Sequence, residues 1–90
     1  MGATLLKLKL MPSSPEVNLE EIKQKIKEII EKNQGKGCTF EEEPIAFGLK
    51  AIIASFSIEE DMEIEPLEQR LNKIENVNSV QVIDMRRAFG

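Results

Sequence analysis

The stretch from Leu49 to Ile58 is apolar on both sides of a two-residue period, and it constrains the fold more than any other segment. Ile52, Ala54, Phe56 and Ile58 share one face, while Leu49, Ala51 and Ile53 share the other. A strand with one polar side can lie at the rim of a sheet, but one that is apolar on both sides belongs in its middle. The chain must therefore supply strands to flank this one and a layer to cover the sheet.

The rest of the sequence supplies both. From Thr4 to Leu10, Leu6, Leu8 and Leu10 alternate with Lys7 and Lys9, the pattern of a half-buried strand. Pro12 and Pro15, with two serines between them, end it in a loop. Asn18 can cap a helix, and Glu21 three residues on completes a capping box. Leu19, Ile22, Ile26, Ile29 and Ile30 then form one apolar stripe, with Glu21–Lys25 and Glu28–Lys32 as pairs four apart on the polar side. Asn33, Gly35 and Gly37 supply the stop. Cys38 to Pro44 reads as an edge strand, because Glu41, Glu42 and Glu43 discourage unwanted pairing and proline cannot serve a central ladder. Pro66 suits the first position of a second helix, with Leu67, Leu71 and Ile74 as its stripe and Asn76 as its end. Val77, Val80 and Val82 carry a last strand to about Met85, and Arg86 to Gly90 form a short tail.

The order β-α-β-β-α-β predicts an α+β fold, a ferredoxin-like sandwich with a four-stranded antiparallel sheet and two helices on one face. Ninety residues make a single domain, 1–90, that buries about 60–65% of its unfolded surface. Its uncovered sheet face is expected to show Lys7, Lys9, Leu49, Ala51 and Ile53.

Composition narrows the chemistry. There is no His, Tyr or Trp, and a single cysteine, Cys38, which reads as a small strand hydrophobe. A serine or cysteine nucleophile needs a positioned base, so catalysis is not expected. Consecutive Glu41, Glu42 and Glu43 would alternate faces on a strand and cannot converge as an acid–base pair. No Cys/His ligand set and no glycine-rich phosphate loop is present, so neither a metal nor a cofactor is expected. With 16 acidic and 12 basic side chains the net charge is −4, which disfavours a nucleic-acid partner. RNA-recognition domains of this fold stack bases on aromatics of the central strands, and the face expected here has none. Lysines within the first apolar stretch spoil a signal-peptide reading, and no run approaches the ~20 residues of a membrane span. A soluble cytoplasmic protein, monomeric when alone, is the expectation.

Two features are unusual. Pro44-Ile45-Ala46-Phe47-Gly48 is an apolar bend between two strands, where loops are normally polar. Phe47 can fold back over the core or project as an aromatic anchor for a partner pocket, and Gly48 permits a tight turn. Adjacent Arg86 and Arg87 near the terminus are the second feature. If the bend and the end of the last strand lie at the same end of the sheet, Ile45, Ala46, Phe47, Gly48, Arg86 and Arg87 form one partner-binding surface.

The chain resembles the archaeal translation elongation factor 1-beta family, and through it the C-terminal exchange domain of the eukaryotic factor. The resemblance runs the full length and rests on Met11-Pro12-Ser13-Ser14-Pro15, on Glu43-Pro44-Ile45-Ala46-Phe47-Gly48-Leu49-Lys50 and on Asp84-Met85-Arg86-Arg87. It implies a guanine-nucleotide exchange factor for the GTPase elongation factor 1-alpha, docking near the partner's magnesium and phosphate site and performing no covalent chemistry. It also implies that Phe47 matches the aromatic of the family's Gly-aromatic-Gly-like loop, with Ala46 in place of the first glycine. Eukaryotic members carry a lysine next to last; position 89 here is Phe. Either Arg86 or Arg87 then supplies the cation, or displacement uses another contact. The competing reading is a small-molecule-binding regulatory module of the same fold.

Overall fold

The computed structural model describes residues 2–89, with side chains through Arg87. The element order is β1 (Gly2–Pro12), α1 (Leu19–Lys32), β2 (Lys36–Pro44), β3 (Lys50–Glu59), α2 (Glu65–Asn72) and β4 (Val77–Phe89). The four strands form one antiparallel sheet in the order β2-β3-β1-β4. The ferredoxin-like arrangement expected from the sequence is thus the observed one. β3 is internal, as its two apolar faces require, and β2 is an edge.

One core lies between the sheet and the helices. Leu6, Leu8 and Leu10 of β1 meet Ile52, Ala54, Phe56 and Ile58 of β3, and Ile22, Ile26 and Ile30 of α1 close over them with Leu67 and Leu71 of α2. Burying a side chain of this size stabilises by about 1.5–3 kcal/mol, so this cluster is the main term holding the fold. Asn18 caps α1: its Oδ1 accepts from the N–H of Glu20 at 3.0 Å and of Glu21 at 3.4 Å.

Several details differ from the sequence reading, each for a local reason. α1 ends in a Schellman motif, with Gln34 N–H on the Glu31 carbonyl (3.1 Å) and Gly35 N–H on the Ile30 carbonyl (2.8 Å). The left-handed residue there is Gln34, φ 68°, and not a glycine. Gly35 is needed for space, since a Cβ would overlap Ile30 Cγ2. Gly37 belongs to β2, which starts at Lys36 instead of Cys38. α2 ends at Asn72, four residues before Asn76, which turns the chain into β4 with φ 72°. Arg86 and Arg87 are not a tail: β4 continues past them, Arg86 opposite Leu5 and Arg87 opposite Thr4.

The uncovered face also departs from expectation. Ala51 and Ile53, expected exposed, are 0% and 7% exposed. Ile53 is flanked by Lys9 on β1 and Glu41 on β2, and Ala51 by Glu43. Lys9 Nζ reaches Glu43 Oε2 at 3.9 Å, so an ion pair arches from β1 to β2 across β3. Long charged side chains cover apolar surface with their aliphatic stems, which accounts for the burial of these two residues on an open face. Among the described residues, no helix is long and apolar enough to cross a membrane.

Candidate functional site

The bend between β2 and β3 is a tight, strained turn. Ile45 N–H donates to the Leu49 carbonyl at 2.8 Å, and Leu49 N–H to the Ala46 carbonyl at 3.0 Å. The second bond encloses Phe47 and Gly48, with φ of 57° and 79°. Two positive φ values in succession define a type I′ turn, whose twist matches that of the strands it joins. Glycine fits the second position freely. Phenylalanine at the first does not, because left-handed backbone costs a Cβ-bearing residue about 1–2 kcal/mol.

Phe47 is also 95% exposed, and Ile45 beside it is 40% exposed. The ring therefore does not fold over the core. The turn thus bears two costs, a strained backbone and an aromatic in water, neither of which the fold requires. Such outliers concentrate at functional sites.

The turn is supported from two sides. Gly48 faces Pro15, whose Cβ would lie 3.6 Å from a Cβ added at the glycine. The Met11–Pro15 loop and the Pro44–Lys50 bend, some 30 residues apart in the chain, therefore meet at one end of the sheet. A shallow hollow of about 260 Å³ opens between them, walled by Pro12, Pro15, Val17 and Lys50. On the other side, Glu42 sits at the centre of an ion network. Lys23 Nζ on α1 lies 2.7 Å from Glu42 Oε2 and 3.4 Å from Glu20 Oε1, and Lys50 Nζ lies 4.0 Å from Glu42 Oε1. The Lys23 hydrogen bond and charge hold the Glu42 carboxyl below its ordinary pKa, and the same hydrogen bond raises that of Lys23. Glu42 thus faces the helices and Glu41 and Glu43 the open side, so the three glutamates alternate faces as their spacing predicts.

The arginines lie elsewhere. The bend adjoins the Leu10–Pro12 end of β1, because Ile52 pairs with Leu10. Arg86 pairs with Leu5, about seven residues away along the strand, or roughly 23 Å. The expected single surface of Ile45, Ala46, Phe47, Gly48, Arg86 and Arg87 is therefore not formed: antiparallel β4 carries its arginines away from the bend. Arg86 Nε contacts Asp84 Oδ2 at 3.1 Å, and Arg87 contacts Glu60 at 3.5 Å. The side chain at position 89 lies outside the described residues. Sequence reasoning missed the Lys23–Glu42–Lys50 network and the meeting of Pro15 with Gly48, because both join residues distant along the chain.

Cys38 is half-buried, and burial pushes its thiol pKa up, away from reactivity. Among the described residues, no group of three or more His, Cys, Asp or Glu side chains is placed to hold a metal ion.

The EF-1 guanine nucleotide exchange domain matches residues 5–88. Elongation factor 1-beta of Methanocaldococcus jannaschii is 43% identical over 89 residues, covering 98% of this chain and all of that one. The protein of the same name from Methanosarcina barkeri is 41% identical, covering 97% and 99% of the two chains. Among solved structures, the ACT domain from GTP pyrophosphokinase of Chlorobium tepidum superposes with a TM-score of 0.62 at 15% identity, over 88% of this chain and 96% of that one. A de novo designed protein, Foldit4, does so at 0.63 and 13% identity, covering 98% of both. These structural likenesses speak to the fold alone.

Proposed function

The chain belongs to the EF-1 guanine nucleotide exchange domain family, and on that premise we propose that it accelerates exchange of GDP for GTP on elongation factor 1-alpha by docking near the GTPase's magnesium and phosphate site. It acts as a binding protein in the cytoplasm, monomeric when alone, with no covalent step and no nucleotide or cofactor site for the reaction. The observation that carries the docking detail is Phe47, held in left-handed backbone and almost wholly exposed. A rigid aromatic projecting from a pinned turn meets a partner pocket with little entropy left to lose.

The energetics follow from differential affinity. An exchange factor must bind the nucleotide-loosened GTPase more tightly than the GDP-bound one, and each tenfold of acceleration needs about 1.4 kcal/mol of that difference. Ile45, Phe47 and Gly48 form the anchor, with Ala46 closing the turn. Arg86 and Arg87 touch the partner only at a second place, since some 23 Å separates them from the turn. They are the cations available to approach the magnesium and phosphate site from β4.

The test is release of fluorescent GDP from elongation factor 1-alpha of the same source, under excess unlabelled GDP. Substoichiometric amounts of this protein should accelerate release by orders of magnitude. No acceleration, with folded protein and active GTPase, would overturn the reading.

A further inference from the structure

We propose that the open face of the sheet carries a binding groove for a small phosphate-bearing anion, built where β2 and β4 both bulge. The groove has a volume of about 400 Å³ and lies over Ser55 and Ser57 of β3 and Leu5 of β1. That is the lower range for a small-molecule site.

Its shape comes from two irregularities at the same level of the sheet. On β2, Lys36 pairs with Ser57 and Thr39 with Ser55, so Gly37 and Cys38 together face Phe56. Gly37 has φ 66° with nothing within 4 Å of where its Cβ would be, a glycine bulge bordering open space. On β4, Asp84 pairs with Lys7 and Val82 with Leu8, leaving Ile83 as an extra residue. Each bulge bends its strand, and the small serines between them leave the floor low. Two bulges flanking one hollow is the kind of feature found beside binding sites.

Its charge runs against that of the molecule. The chain carries a net −4, yet the groove is lined by Lys7, Lys36 and Arg86 against Asp84 alone. The three cationic residues come from three different strands and line the groove together with the two serines. The Ser57 hydroxyl donates to the Lys36 carbonyl at 3.3 Å, tying the β2 bulge to β3. Asp84 holds Arg86 by its Nε at 3.1 Å. Cationic residues on three sides of one groove suit a tetrahedral, multiply charged group better than a planar carboxylate. The rest of the same face limits how long the anion can be. The Lys9–Glu43 ion pair and Glu41 leave the neighbouring half without excess positive charge, which gives an extended nucleic-acid backbone nothing to follow, and among the described side chains no aromatic lies on this face to stack a base. A compact anion fits where a polymer does not.

This inference does not depend on the exchange reading, and its test leaves Arg86 untouched. The probe is inorganic pyrophosphate, titrated at constant ionic strength into the isotope-labelled full chain and followed by backbone amide NMR. Saturable shifts should appear at Lys36–Thr39, Ser55–Ser57 and Asp84, and nowhere on α1. Lys7→Ala and Lys36→Ala should each weaken binding roughly tenfold, the loss of one charge-assisted contact, with the rest of the spectrum unchanged. Lys27→Ala on the exposed side of α1 should leave it intact. Shifts that stay linear, that spread over the α1 lysines, or that survive the Lys7/Lys36 double substitution would overturn the proposal. So would tighter binding of a single-stranded oligonucleotide than of pyrophosphate at the same groove. GDP release from the GTPase is read separately, so loss of one activity with the other intact distinguishes the two claims.

Discussion

Phe47 concentrates the tension between stability and function in one residue. Its left-handed backbone costs about 1–2 kcal/mol, and its ring contributes nothing to the core. Phe47→Gly should relieve that strain but adds about 0.5–1 kcal/mol of chain entropy to the cost of folding. The net expectation is a protein more stable by about 0.5–1 kcal/mol, seen as a melting temperature a few degrees higher. Phe47→Ala keeps the strain, so its melting temperature should hold. Both substitutions should weaken binding to elongation factor 1-alpha by about 2 kcal/mol or more, the range of interface anchors. A large loss of stability in either, with binding intact, would mean that the ring packs in solution. Gly35 makes the opposite case. An alanine there would overlap Ile30 Cγ2 and crowd the Ile30 carbonyl, which is backbone and cannot swing aside. Gly35→Ala should therefore destabilise by about 1–3 kcal/mol by denaturant unfolding, as overpacking does.

At the scale of elements, the sequence is legible where one period decides the outcome and opaque where distant residues meet. Leu6-Leu8-Leu10 and Ile22-Ile26-Ile30 announce their strand and helix because each buries one face, and Ile52 to Ile58 place β3 inside the sheet. Element ends are less visible. Nothing local tells Arg86 and Arg87 to stay in β4; pairing with Leu5 and Thr4 keeps them there. Nor does alternation reveal that Ala51 and Ile53 are covered, since their cover is the Lys9–Glu43 pair from two other strands. Of the candidate site, the turn and its aromatic were readable, but its supports were not. The Lys23–Glu42 pair is one of these, and it is testable through pH. Glu42 has its pKa lowered in the folded protein, so it stabilises above the ordinary carboxylate pKa and loses that contribution as pH falls through the lowered value. Lys23 has its pKa raised, so its contribution is full below the ordinary lysine pKa and is lost as pH rises through the raised value. Wild type should thus exceed Glu42→Gln in stability near pH 7, and the two should converge once pH has fallen through the lowered carboxyl value. A difference that persists undiminished at pH 2 to 3 would show that the carboxylate charge is not what joins α1 to β2.

On the scale of the whole molecule, the sheet separates two ends that the sequence alone let one imagine as a single surface. The bend with Phe47 sits beside Pro15 at one end, and Arg86 and Arg87 lie roughly 23 Å away on β4. Contacts so far apart cannot share a pocket, so a partner that used both would have to meet them at two separate places. Their energetic roles should then be separable. Substitutions more than about 7–10 Å apart with no common partner usually add to within about 0.3–0.5 kcal/mol. If the ring is the proposed anchor, Phe47→Ala should raise the concentration of this protein needed for half-maximal GDP release. Arg86→Ala and Arg87→Ala should lower the maximal release rate, because a cation near the phosphate site acts on the loosened state. The double substitution Phe47→Ala/Arg87→Ala should show both effects, with free energies that sum. Wild-type maximal rates in both arginine variants would remove β4 from the displacement step and leave the bend as the anchor. Strong non-additivity would instead mean that the two ends bias one shared conformational change in the GTPase, coupled through the partner across the length of the sheet.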